Sequence, residues 1–167
     1  MKIVALPFPE FPGLQPGQHL TGQVDYDLKK VEWNEYEFPD GLTVRVLSLP
    51  LNVYSTNIVD PSGMPGYIIL WNNLVRVVAQ EKHLGKPTSP IPPNDLPKVP
   101  KIDLRPLTSS EDWNEFELKD GHTLREKTVV SKFRRVKDAF DSTGSPMIII
   151  DAQQVVSVVL TESSAGE

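Results

Sequence analysis

The chain contains itself twice, and that constrains its fold more than any local propensity does. Residues 33–41 read WNEYEFPDG and residues 113–121 read WNEFELKDG, identical at six of nine positions with an offset of 80. Asp60-Pro-Ser-Gly63-Met-Pro65 answers Asp141-Ser-Thr-Gly144-Ser-Pro146 at an offset of 81. Tyr67-Ile-Ile69 then answers Ile148-Ile-Ile150, and Leu74-Val-Arg-Val-Val78 answers Val155-Val-Ser-Val-Val159. Order, spacing and residue type agree over about 50 residues, a repeat that both copies must fold alike to use. The change of offset places a one-residue slip between the Asp-Gly turn and the DxxG loop.

Within one copy the period is that of strands. Tyr36 and Phe38 share one face and Glu35 and Glu37 the other, as in a half-buried strand. Asp40-Gly41 follows, a hairpin signal because glycine accepts positive φ. A second strand begins at Leu42 and holds Val44 and Val46. A third runs around Val53 to Val59, or Phe133 to Phe140 in the second copy. The DxxG-x-P loop turns the chain, with Asp bonding the turn backbone and Gly supplying the left-handed residue. A fourth strand, Tyr67 to Leu70, meets a polar connection at Trp71-Asn-Asn73, and Leu74 to Val78 is the fifth. Val75 and Val77 are expected to face inward. Leu74, Val78, Val155 and Val159 then point outward, and apolar residues on both faces call for cover on both sides. No segment sustains a capped 3.6-residue period, so little helix is expected, with Lys127 to Phe140 the one stretch to watch.

Five short strands in ~50 residues make a poor flat sheet with open edges, and curling into a small barrel removes much of that problem. The sequence therefore predicts an all-β protein of two tandem five-stranded small barrels joined by a proline-rich linker. The expected organisation is a proline-rich N-terminal arm over 1–30, a first barrel over 31–80, a linker over 81–108, a second barrel over 109–162 and a disordered tail over 163–167. Residues 87–106 hold seven prolines, which favour extended, semi-rigid chain. Pro87, Pro90 and Pro93 also form overlapping PxxP steps of the kind SH3 and WW domains take.

The strand order resembles the Sm-like fold, a bent five-stranded barrel with a DG turn after its first strand. Ile68-Ile-Leu-Trp-Asn-Asn-Leu-Val-Arg-Val-Val78 is similar to that family's ending of strand four, polar turn and Val/Ile-rich strand five, and Ile148 to Val159 is similar again. Other SH3-like barrels would read nearly the same. The resemblance implies ring-like assembly through strands four and five. The family's base-binding Asp and Asn have no full counterpart. Ser48-Leu-Pro-Leu-Asn-Val53 and Thr128-Val-Val-Ser-Lys-Phe133 stand there, with Asn52 the single candidate. The family's Arg-Gly is replaced by Asn72-Asn73 and Gln153-Gln154.

Composition narrows the function classes. The chain of 167 residues has no cysteine, which excludes disulfides, thiolate metal sites and cysteine nucleophiles. Its net charge of −5 argues against a globally basic nucleic-acid binder. No apolar run reaches the ~20 residues of a membrane helix, and the start is too proline-broken for a secretory leader, so a cytoplasmic protein with no membrane partner is expected. Lys127, Lys132, Arg134, Arg135 and Lys137 lie within 11 residues, while the matching stretch 47–57 carries no charge. With Phe133 among them, phosphate contact and base stacking make these five the candidate nucleic-acid site. Leu74, Val78, Val155 and Val159 are the candidate oligomer interface.

Glu32, Glu35, Glu37, Glu111, Glu115 and Glu117 read as a wet outer face rather than an acid/base pair or metal cage. His19, His83 and His122 lack metal-ligand spacing, and Trp33 and Trp113 are expected to pack in or cap each barrel. No GxSxG, Walker A, dinucleotide or HExxH motif occurs. The expectation is a non-catalytic binding or assembly protein without metal or cofactor, a homo-oligomer or one that holds a protein partner. A nucleic-acid module using the basic run, or an enzyme with an acidic cleft between the repeats, are the alternatives.

Overall fold

The computed structural model describes residues 14–161. Part of the proline-rich arm, residues 1–13, and the expected tail lie outside the described residues. In chain order the strands are β1 (Leu20–Gln23), β2 (Tyr26–Lys30), β3 (Asn34–Glu37), β4 (Thr43–Val59), β5 (Pro65–Val78), β6 (Lys101–Leu104), β7 (Thr108–Ser110), β8 (Asn114–Leu118), β9 (His122–Phe140) and β10 (Pro146–Leu160). Two single 3-10 turns, Glu81–His83 and Leu96–Lys98, are the only helical segments among the described residues. The protein is all-β, and Lys127 to Phe140 is strand.

The two copies fold alike. In each, a short strand, an Asp-Gly turn, a long strand and a second long strand form a meander: β3–β4–β5 and β8–β9–β10. Gly41 and Gly121 sit at φ of +85° and +92°, and Asp40 and Asp120 each accept a backbone N–H two residues on. At the DxxG loops, Asp60 Oδ1 accepts the Ser62 hydroxyl and the Ser62 and Met64 amides. Asp141 does the same with Thr143 and Ser145. The Ser62 and Thr143 hydroxyls, with those amides, hold both carboxyls below their ordinary range.

The strands expected as second and third are one strand, and so are those expected as fourth and fifth. The connection at Asn72-Asn73 does not break the ladder, because Asn72 and Asn73 pair with Leu49 and Ser48. The bend comes instead from an extra residue in the facing strand: Leu51 between Pro50 and Asn52, and Ser131 between Val130 and Lys132. Such bulges bend a strand and increase its twist without ending it. A second irregularity lies nearer the loop. Residues 56–58 stand between the pairs Ser55–Tyr67 and Val59–Pro65, and residues 136–139 between Arg135–Ile148 and Phe140–Pro146. The second copy is longer there by one, and Asp138 takes φ of +57°. This is the one-residue slip read from the sequence.

Among the described residues the strands form two antiparallel sheets of open order, with no closed barrel. One contains β7, β3, β4, β1 and β5, the other β2, β8, β9, β6 and β10. Both are antiparallel and five-stranded, yet each borrows a strand. β2 leads the first repeat but pairs with β8, and β7 leads the second but pairs with β3. Residues 101–104 and 108–110, within or beside the stretch read as linker, are thus ladder strands. A sheet that lays its apolar face on its neighbour has no need to curl on itself. Tyr36, Phe38, Leu42, Val44 and Val46 of the first repeat pack with Phe133 of the second, flanked by Ile148 and Ile150. Phe116, Leu118 and Leu124 of the second repeat pack with Val53 of the first, flanked by Tyr67, Ile69 and Trp71. Each core therefore takes the start of one meander and the end of the other.

Candidate functional site

Where the two long central strands β4 and β9 meet, equivalent residues face each other. The Ser48 and Thr128 hydroxyls are 3.1 Å apart, at the same position of the two repeats. Ser48 also donates to Asn73 Oδ1 at 2.7 Å. Around this pair the copies differ. Asn34, at the start of β3, donates to the Thr128 carbonyl at 2.7 Å. Its counterpart Asn114 turns its amide towards Glu126 Oε2 at 3.5 Å and accepts the Glu32 N–H at 2.8 Å. Glu126 is fully buried, while the matching first-repeat residue is the core Val46. Thr128 and Gln154 donate to Glu126 Oε1, and no cation pairs with it among the described residues. Burial pushes its carboxyl above the ordinary range, against those hydrogen bonds. A cleft of about 270 Å³ opens beside this axis, lined among others by Ser48, Asn73, Val75, Thr128 and Gln154.

Glu111 departs from the expected wet outer face. It accepts from the Tyr36 hydroxyl at 2.7 Å and the Val130 amide at 2.8 Å, so it ties β3 to β9. Burial first, and Glu111 second, push the Tyr36 hydroxyl well above its usual range. The other carboxylates keep to the surface pattern. Glu35 meets Arg45 at 2.9 Å and Glu115 meets Arg125 at 3.4 Å, an equivalent pair. All four residues are half-buried, and pairs still partly open to solvent stabilise little.

The basic run lies along β9 and is divided. Lys132 is 3.7 Å from Asp103, and Arg134 Nη2 is 3.2 Å from both oxygens of Asp151. Arg135 stands over the Phe140 ring, 5.7 Å from its centroid. Lys127 adds to the field that lowers the Asp112 carboxyl, after the Lys30 ammonium and the Trp113 amide. The Lys137 side chain is exposed, and its amide donates to the Pro100 carbonyl. Phe133 is no stacking platform. Its ring is buried against Tyr36 at 4.7 Å and Phe38 at 5.1 Å.

The four interface candidates lie on the two outer strands. Among the described residues β5 pairs only with β4, and β10 only with β9, which leaves one long edge of each unpaired. Val77 packs inward as expected, and its counterpart Val158 does the same in the second repeat. Val75 does not: it is 51% exposed and lines the cleft. Val155 and Val159 are 45% and 43% exposed, and Leu74 and Val78 are half-buried. The sequence reading did not single out Val156 or Leu160, which add to the exposed apolar surface of β10.

Two of the three histidines serve the Asp-Gly turns, while His19 is exposed. His83 Nδ1 accepts the Gln80 N–H, so its other nitrogen donates to the Asp40 carbonyl at 3.0 Å and braces the Asp-Gly turn. His122 lies 3.1 Å from Asp120, which also accepts from the Tyr67 hydroxyl. Trp113 carries the Arg125 guanidinium 4.6 Å above its ring, and Trp33 is more than one-third exposed. Among the described residues no group of His, Asp and Glu is placed to hold a metal ion, and no helix is long and apolar enough to cross a membrane.

Glu126 and Glu111 were missed because local alternation says nothing of what the other repeat brings opposite. One signal was available for Glu126: alignment at an offset of 80 sets it against Val46, a charge in a core register. No protein-family model, curated protein or solved structure matches the chain.

Proposed function

We propose that the protein is a non-catalytic binding and assembly protein of the cytoplasm, a scaffold built on a duplicated Sm-like strand order, working as a homo-oligomer or with a protein partner. The observation that carries this reading is the pair of long sheet edges, β5 and β10, left unpaired among the described residues and lying beside exposed valines. An open edge of a dozen or more residues presents a row of backbone donors and acceptors to any strand that reaches it. The Sm-like part of the reading rests on the meander itself: the DG turn, the bent central strand and the Val-rich last strand occur twice. The charges favour assembly over nucleic acid, since Asp103 and Asp151 already engage two of the five cations of the run.

Light scattering on the eluting protein, with absorbance at 260 and 280 nm, tests this. A mass that is a multiple of 18.7 kDa, or a stoichiometric protein companion, with a protein-like absorbance ratio, is expected. A single-chain mass at every concentration and no companion contradicts it. Nucleic acid carried through and released by salt would replace this reading with the alternative, carried by Lys127, Arg135 and Lys137.

A further inference from the structure

The end of β10 reads the same in both directions about Ser157: Val155-Val156-Ser157-Val158-Val159. We propose that β10 pairs antiparallel with β10 of a second copy in the register that sets Ser157 against Ser157, joining two sheets into one across a twofold axis. The proposal rests on the assembly reading above and names its partner and register. In a twofold contact residue i of one copy meets residue j of the other and the reverse. Here Val155 meets Val159 and Val156 meets Val158, so each pair is valine on valine around one serine pair. β-Branched side chains pack well against their neighbours on a pleated surface. Val155 and Val159, both exposed in the single chain, cover each other on the outer face.

Charge separates β10 from its sister edge. From Ala152 to Thr161 there is no Asp, Glu, Lys or Arg. Sheet edges are ordinarily guarded by such residues, lysine above all. The first repeat keeps the guard. Its matching run is Leu74-Val-Arg76-Val-Val78, and Arg76 stands across from Arg45 within the chain. Two β5 edges in the same register would set Arg76 against Arg76, and like charges directly opposite destabilise a sheet. On β10 the same position is Ser157, across from Arg125, which Glu115 already faces. The row across the joined sheets then runs Glu115, Arg125, Ser157 and back in mirror order.

Cysteine cross-linking tests the register, because the chain has no cysteine of its own. Directly opposed residues of an antiparallel pair have Cα atoms about 4.5–5.5 Å apart, within the roughly 4.4–6.8 Å a disulfide spans. Ser157→Cys in an oxidised glutathione buffer is expected to run as a covalent dimer on a denaturing gel, while Arg76→Cys stays single. Ser157→Arg restores the guard and is expected to reduce the native mass to one chain. Its circular dichroism should be unchanged, since the first repeat carries arginine at that place. An oligomer that Ser157→Arg leaves intact, with Ser157→Cys cross-linking no faster than Arg76→Cys, overturns the register while the assembly reading stands. Cross-linking only in a mixture of the two cysteine variants overturns it in favour of β5 on β10. A single-chain mass for the unaltered protein at every concentration removes both.

Discussion

Glu126 shows how one residue can set a condition on the whole fold. A fully buried carboxylate without a cation is costly, and the hydrogen bonds from Thr128, Gln154 and Asn114 offset only part of that cost. Its folded carboxyl is raised above the unfolded value. The folded state therefore holds the proton more tightly, and the group's favourable contribution is full below about pH 4 and lost as pH rises through the folded value. Glu126→Gln removes the charge and keeps the shape. The variant is expected to melt ~2–4 °C above the unaltered protein at pH 7, about 1 kcal/mol in a chain of this size. The difference should vanish near pH 4. Thermal melts of both proteins across that range check it; a variant less stable at pH 7 than at pH 4, relative to the parent, would show that the carboxylate is a net stabiliser.

At the scale of elements the two DxxG loops offer an internal control. Both Gly63 and Gly144 have positive φ, so alanine strains the backbone at each by roughly 1–2 kcal/mol. Their surroundings differ. A Cβ on Gly63 meets nothing within 4 Å, whereas one on Gly144 lies 2.7 Å from the Gly85 carbonyl oxygen. There the Gly85 amide donates to the Gly144 carbonyl at 2.9 Å, and the Gly85 backbone lies against the Phe140 ring. Gly144→Ala is expected to cost about 1–3 kcal/mol more than Gly63→Ala, the usual range for overpacking, measured as the difference between two urea midpoints. Equal losses would mean that the 84–88 segment is not docked on the second loop.

Much at this scale was legible in the sequence. The Asp-Gly turns, the DxxG loops and the alternation of Tyr36 and Phe38 need only local chemistry. The bends at Leu51 and Ser131 were not legible, because an extra ladder residue leaves no mark in hydropathy. Nor were β2 and β7. Tyr26–Lys30 and Thr108–Ser110 are mostly exposed, and their order follows from the edge they reach. The same holds for the candidate site: its valines were read from period two, but Val75 faces a cleft that exists only once the second repeat is in place.

The whole molecule is one interlocked object, since both cores and both borrowed strands cross between the repeats. A first half ending near residue 86 lacks Phe133, Ile148 and Ile150 from its core and β7 from its sheet. Alone it is expected to show no cooperative unfolding transition as a monomer, and to regain one when mixed with the second half. Circular dichroism on the halves, separate and combined, checks this, and a monomeric first half that melts cooperatively contradicts it. Size is an independent matter of the outer edges. The most direct measurement is light scattering of the intact chain across a hundredfold range of concentration. The account predicts a mass near twice 18.7 kDa, or a higher even multiple, that falls towards one chain on dilution. A mass of one chain throughout would contradict it.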